Sequence, residues 1–222
     1  MTEPTAEDWM QEALHEARMA YLIGEVPIGA VIVHQGEIIG RGHNLREHGQ
    51  DATMHAEIIA IQEACEYLHS WRLADCQLYV TLEPCLMCSG AIINARLPEL
   101  YFGARDPKAG AVRSLYQVMD DTRLNHQVTV HERILARPAG EMLENFFRGI
   151  RKRKKAAKKA RREAAEKKLS RWLVIVAQIM YYSICRKAKR QGWIYESCQV
   201  RKEAALSLLH LVPFVFMKCN SS

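Results

Sequence analysis

The spacing of apolar residues changes period repeatedly along the first 150 positions, and each change marks an element. Thr5-Ala6-Glu7-Asp8 reads as a capping box, after which Trp9, Ala13, Ala17, Ala20 and Tyr21 recur at helical spacing as far as about Gly24. IGAVIVHQGEIIGRG (28–42) is two β-branched runs around Gln35-Gly36, which predicts a hairpin. A polar loop, HNLREHGQDAT, leads to HAEIIAIQEACEYLHS (55–70), with the pattern of a second helix. CQLYVTL (76–82) then reads as a strand, CLMCSGAIINAR (85–96) as a third helix, and ELYFGA (99–104) and QVTVHERI (127–134) as two more strands. A loop and a short helical stretch near Ser114–Met119 separate those last two. This order predicts an α/β fold, a three-layer α/β/α sandwich with a mixed sheet of about five strands, and no internal repeat.

From Glu141 onward the pattern changes. MLENFFRGIRKRKKAAKKARREAAEKKL is rich in strong helix formers and has no Gly or Pro after Gly149, so a long helix with a solvated far half is expected. Beyond Ser170, WLVIVAQIMYYSIC and AALSLLHLVPFVFM are apolar runs of 14 residues each, separated by a basic segment. Neither reaches the roughly 20 residues that a membrane span needs. The chain therefore divides into a domain at 1–150, a basic helical extension at 151–170 and an atypical tail at 171–222. Two descriptions fit the tail: a segment lying on a membrane surface, or a read-through or frame-shifted extension. Neither gives it a part in chemistry, and membrane association is not expected.

Charge sharpens this division. The formal net charge of +6 combines −9 over residues 1–150, +9 over 151–168 and +6 over 169–222. An acidic body thus carries a basic tail, and a polyanionic partner would meet the tail first. The N-terminus, MTEPTAEDWM, has neither a basic n-region nor an apolar h-region, so a cytoplasmic protein is expected. Seven cysteines at irregular spacing would remain thiols there.

The candidate chemistry lies in TLEPCLMCSG (81–90). Cys85 and Cys88 follow Pro84 at the expected start of a helix, where side chains at i and i+3 share a face and the helix N-terminus favours thiolate. A Cys-x-x-Cys on its own is often a redox pair or a structural knuckle. A catalytic zinc, however, needs three protein ligands and an open position, so one further residue would complete it. His55 in MHAEII also begins a predicted helix, and Glu57 stands two residues on. Positions i and i+2 diverge by about 200° within a helix, so the pair can converge on one site only at the helix's first turn. His-x-Glu with Pro-Cys-x-x-Cys is the signature of zinc deaminases, in which the Glu moves protons and is not a ligand. His43, His48, His69 and His126 lack such company and read as surface or core histidines.

With these motifs in place the chain resembles the bacterial tRNA-specific adenosine deaminases, zinc enzymes of cytidine deaminase-like fold, over about residues 5–160. The likeness extends to GEVPIGAVIV (24–33), Asn44 in GHNLRE, SWRLADCQLYVTLEPCLMCSGAI (70–92), FGARDPKAGA (102–111), LNHQV (124–128) and ENFFR (144–148). The resemblance implies conversion of the wobble adenosine of a tRNA anticodon to inosine by attack of zinc-bound hydroxide at C6. It further implies one Zn²⁺ per chain on His55, Cys85 and Cys88, with Glu57 as proton shuttle, and a homodimer. Asn44 would hydrogen-bond the purine edge, and Asp106, Lys108, Asn125 and His126 would lie on loops near the flipped nucleotide. Phe146, Phe147, Arg148 and Arg151 would line the surface for the anticodon stem-loop, although one of two adjacent helical aromatics normally faces the core. The apolar SGAIINARL could pack a partner helix as readily as the sheet. Met54 stands where the family usually has a small residue, Arg113 where it often has glycine, and residues 171–222 have no counterpart. Two rival readings are a zinc deaminase of a free base or nucleotide, of guanine or deoxycytidylate type, and a non-catalytic zinc-dependent RNA-binding module. The basic helix argues against the first and Glu57 against the second.

Overall fold

The computed structural model describes residues 3–190. The chain divides into two units, Met1–Ile150 and Arg151–Ser222. In the first unit, α1 (Ala6–Ile23) opens on the predicted capping box: the Thr5 hydroxyl accepts from the Asp8 N–H and the Asp8 carboxylate accepts from the Thr5 N–H. It ends at Gly24, whose left-handed backbone lets its N–H reach the carbonyls of Ala20 and Tyr21. The hairpin β1 (Gly29–His34) and β2 (Glu37–His43) turns at Gln35 and Gly36, both with positive φ, as a two-residue connection requires. A short α2 (Arg46–Gly49) lies in the polar loop. Then follow α3 (Ala56–Leu68), β3 (Cys76–Leu82), α4 (Leu86–Asn94), β4 (Glu99–Ala104), a 3₁₀ turn at Val118–Asp120 and β5 (Thr129–Glu132).

The five strands form one sheet in the order β2-β1-β3-β4-β5. β1 is antiparallel to β2 and β3, whereas β3, β4 and β5 run parallel, so the sheet is mixed as expected. The period-two alternation of the strands sorts their side chains into two cores. Ala30, Ile32, Leu78, Val80, Leu100 and Phe102 join Ala60, Ala64 and Ile92 on the face covered by α3 and α4. Val31, Val33 and Tyr79 meet Met10 and Ala13 of α1 on the other. Helices on both faces give the predicted three layers. The α4 run SGAIINARL buries Ile92, Ile93, Ala95 and Leu97 in its own domain's core.

One close approach positions the chemistry. α3 turns a face of small residues, Ala56, Ala60 and Ala64, toward β2. A side-chain carbon on Gly42 would collide with the Ala56 carbonyl and the Ala60 nitrogen. Glycine here lets the helix backbone sit against the strand, which brings the first turn of α3 to the end of the sheet.

The last helix, α5 (Ala136–Arg190), begins five residues before the expected start at Glu141. Its first turns pack on the domain through Ala139 and Phe146. It also passes the compositional boundary at residue 170 without a break. No Gly or Pro occurs between Ile150 and Arg190, so the β-branched residues of 172–185 reduce helix propensity without interrupting it. The second apolar run, Cys198 and Cys219 lie outside the described residues. Among the described residues, no helix is long and apolar enough to cross a membrane.

Candidate active site

Two helix N-termini meet at the end of β3. His55 is the N-cap residue of α3 and Cys85 that of α4, each with extended backbone dihedrals, and Cys88 follows one turn into α4. The Nδ1 of His55 lies 3.7 Å from the Cys85 sulfur and 3.6 Å from that of Cys88, and the two sulfurs are 3.7 Å apart. The three side chains are the His/Cys/Cys set that could hold a metal ion, with Cys88 buried and the other two half-buried. A redox pair would not require an imidazole nitrogen equidistant from both sulfurs.

The electrostatics of the cluster favour a cation. The hydrogen bond between the two sulfurs, opposed by burial and aided by His55, brings the Cys85 thiol down to about 4. That same bond, together with burial and the nearby Glu57, pushes Cys88 up. One thiolate is thus stabilised and the second resisted unless a positive ion stands between the sulfurs. Glu57 is 4 % exposed in the first turn of α3, and burial pushes its carboxyl up. A carboxyl raised in this way is suited to proton exchange.

Of the other expected site residues, Asn44 is buried and its Nδ2 donates to the Glu25 carboxylate at 3.2 Å. Glu25 is itself fully buried, and accepts from the His48 N–H at 2.7 Å and from its ring Nδ1 at 3.0 Å. Burial works against its charge, but the His48 contacts hold its carboxyl below the usual range. His48 is therefore a carboxylate partner. Glu25 stands inside the GEVPIGAVIV segment, and its role escaped sequence reading because nothing local pairs it with a histidine 23 residues away. Asp106 caps its own loop through the Lys108 and Ala109 N–H groups, while Lys108 and Asn125 are exposed. The Nε2 of His126 donates to the Leu97 carbonyl at 2.7 Å. Phe146 is 5 % exposed and meets Tyr21 edge-on, so Phe147, at 41 %, is the aromatic of the pair open to a partner. Arg148 and Arg151 are exposed on α5. Met54 lies against Gly49, and Arg113 turns its guanidinium to Asp120 at 2.9 Å, so both unusual residues are accommodated.

A His/Cys/Cys cluster beside a buried carboxylate, on a mixed sheet flanked by helices, matches the constellation of a deaminase. The sequence model of the MafB19-like deaminases matches residues 5–151. The chain is 51 % identical over 158 residues to the tRNA-specific adenosine deaminase of Streptococcus pyogenes serotype M1, covering 71 % of this chain and 92 % of that one. It is 51 % identical over 151 residues to that of Bacillus subtilis, covering 68 % and 94 %. A solved structure from studies of A-to-I editing by tRNA:A34 deaminases at the wobble position is 45 % identical, with a TM-score of 0.59, covering 61 % of this chain and 98 % of the other. The chain belongs to the tRNA-specific adenosine deaminases.

Proposed function

We propose that this chain hydrolyses the wobble adenosine of a tRNA anticodon to inosine and ammonia in the cytoplasm, with zinc held by His55, Cys85 and Cys88. The observation that carries the proposal is the buried Glu57 beside a His/Cys/Cys triangle, in the first turn of the helix that His55 caps, in a chain half identical to tRNA-specific adenosine deaminases. The triangle fits zinc: a tetrahedral ion with bonds of about 2.3 Å to sulfur and about 2.0 Å to nitrogen sets sulfurs about 3.8 Å apart and sulfur and nitrogen about 3.5 Å apart. Bound there, zinc supplies an acidified water at neutral pH. Glu57 takes one proton from the attacking water and delivers it to the purine ring nitrogen, then carries a second, from the hydroxyl formed at C6, to the amine, which departs as ammonia. Asn44, with its nitrogen end tied to Glu25, presents the rest of its carboxamide to a purine edge. Asp106, Lys108, Asn125 and His126 flank the extruded nucleotide, and Phe147 and Arg148 face the anticodon loop. Arg151 and the basic residues after it take phosphates.

The homodimer implied by the family is supported by Leu86 and Met87, exposed on the first turn of α4, and by Leu115 and Tyr116. Sedimentation at micromolar concentration should give a dimer, and a monomer would remove that part of the proposal. For the activity, the protein is incubated with an anticodon stem-loop carrying the wobble adenosine and, in parallel, with free cytidine and guanine. Inosine and ammonia from the stem-loop alone are expected. Turnover of guanine or cytidine with an untouched stem-loop would replace this reading with a free-base deaminase.

A further inference from the structure

Glu83 stands between β3 and Cys85, is 2 % exposed, and takes no part in the chemistry above. Its carboxylate is nevertheless the most heavily bonded side chain in the domain. Oε2 accepts from the Asp106 N–H at 3.0 Å and from the Ser114 hydroxyl. Oε1 accepts from the N–H groups of Val112 at 3.1 Å, Arg113 at 2.6 Å and Ser114 at 2.8 Å. Every donor comes from one segment, 106–114. An ionised carboxylate only accepts, and its two oxygens have about four lone-pair sites, so this segment saturates it.

A second tether runs in parallel. The Ala111 N–H donates to the Pro84 carbonyl at 2.8 Å, and Gly110 forms a bridge with Cys85 itself. A side-chain carbon on Gly110 would run into the Glu83 carboxyl, so the glycine keeps open the space that the carboxylate fills. The segment is also tied by the Asp106 cap, by the Gly110 N–H to the Asp106 carbonyl, by the Leu115 and Val118 N–H groups to the Gly110 and Ala111 carbonyls, and by Arg113 to Asp120, but none of these gives an acceptor to the N–H groups that meet Glu83. Without an acceptor at position 83, four buried or half-buried N–H groups would converge on nothing, which is costly.

We infer that Glu83 is a positioning residue that locks segment 106–114 to the turn bearing Cys85, so that Asp106 and Lys108 are held at a fixed place beside the metal centre. This rests on the deaminase reading for what the loop meets, but the lock itself can be measured without substrate.

The test is hydrogen exchange on the zinc-loaded protein, comparing wild type, Glu83→Gln and Ser114→Ala. Gln offers one acceptor oxygen and sets an NH₂ against N–H donors; Ser114→Ala removes a single hydroxyl and should leave the fold intact. The amides of 106 and 112–114 should exchange at least about tenfold faster in Glu83→Gln and measurably faster in Ser114→Ala, as unpaired amides do. Zinc should stay at one per chain, and KM for the stem-loop should rise by more than kcat falls. Unchanged protection in both variants would overturn the lock. Zinc loss in step with exchange would also overturn it, making Glu83 a support of the metal turn. Faster exchange with an unchanged KM would overturn the positioning role while leaving deamination in place. A wild-type protein inactive on the stem-loop, with the exchange result as expected, would instead count against the deaminase reading.

Discussion

The domain at 1–150 and the helix beyond it solve opposite problems. In the domain, charged groups that matter are buried and each has a stated partner: Glu25 with Asn44 and His48, Glu83 with its loop, Glu57 beside the cysteines. In α5, every side chain from Arg151 to Trp172 is exposed, and the pairs Lys159–Glu163 and Arg162–Glu166 are surface contacts worth little each. The first unit carries −9 and the run 151–168 carries +9. Proton transfer needs groups held to a fraction of an ångström by packing, whereas attraction to a phosphate backbone needs only charge in water. Substitutions should therefore act through geometry in the first region and through ionic strength in the second.

The largest expected effect separates binding from chemistry within the first region. Glu57→Ala should lower kcat by about 10³-fold, in the range for loss of a general acid–base, while keeping about one zinc per chain and a normal melting temperature. His55→Ala or Cys88→Ala should lose metal and stability together, because ligand removal couples to folding. Metal analysis of purified Glu57→Ala decides the assignment. Were zinc to vanish with Glu57, the residue would be a ligand.

A smaller effect tests whether packing positions the site. Gly42→Ala forces the α3 backbone away from β2 and should cost about 1–3 kcal/mol, as overpacking does. Thermal unfolding should register it as a clear fall in Tm, with a fall in kcat because Ala56 adjoins His55. The contrasting substitution, Lys155→Ala on the exposed helix, should stay within about 0.5 kcal/mol. Equal losses from the two would erase the distinction between the regions.

These two regions also differ in what could be read beforehand. The hairpin at Gln35-Gly36, strands 76–82 and 99–104 and the cap at Thr5 were legible because local periodicity and turn chemistry determine them. The meeting of His55, Cys85 and Cys88 in one cluster was legible because metal-ligand spacing is written in short motifs at helix starts. Glu25 and Glu83 were not, since a buried carboxylate is made useful by donors 19 to 31 residues away that no local pattern links to it. The start of α5 at Ala136 was also missed. Pro138 and Gly140 argue against helix, but proline is tolerated in a first turn, where its missing N–H is not needed. The helical course of 171–190 was hidden by its composition, because apolar β-branched runs weaken the amphipathic signal without breaking the helix.

Charge effects in the second region come next in size. Replacing Lys152, Lys155 and Lys159 with Gln should leave Tm and kcat unchanged and weaken stem-loop binding mainly at low salt. Each phosphate contact contributes about 0.7–0.9 to the slope of log K against log salt, so the slope should flatten by about 2. An unchanged slope would make 151–168 a solvated helix with no role in binding.

The smallest effect expected is none. Truncation after Ser170 removes Trp172, Ile175, Ile179 and Tyr182, all more than 45 % exposed, together with the rest of the tail. Every proposed ligand, proton carrier and nucleotide contact lies at or before Arg151, and the curated relatives match over 158 residues or fewer of this chain. The shortened protein should therefore retain its zinc and its kcat/KM on the stem-loop within about twofold, less than 0.5 kcal/mol in transition-state terms. Lost activity at unchanged zinc content would mean that the tail contributes to substrate binding, and the division between a packed catalytic region and a merely charged one would have to be redrawn beyond residue 170.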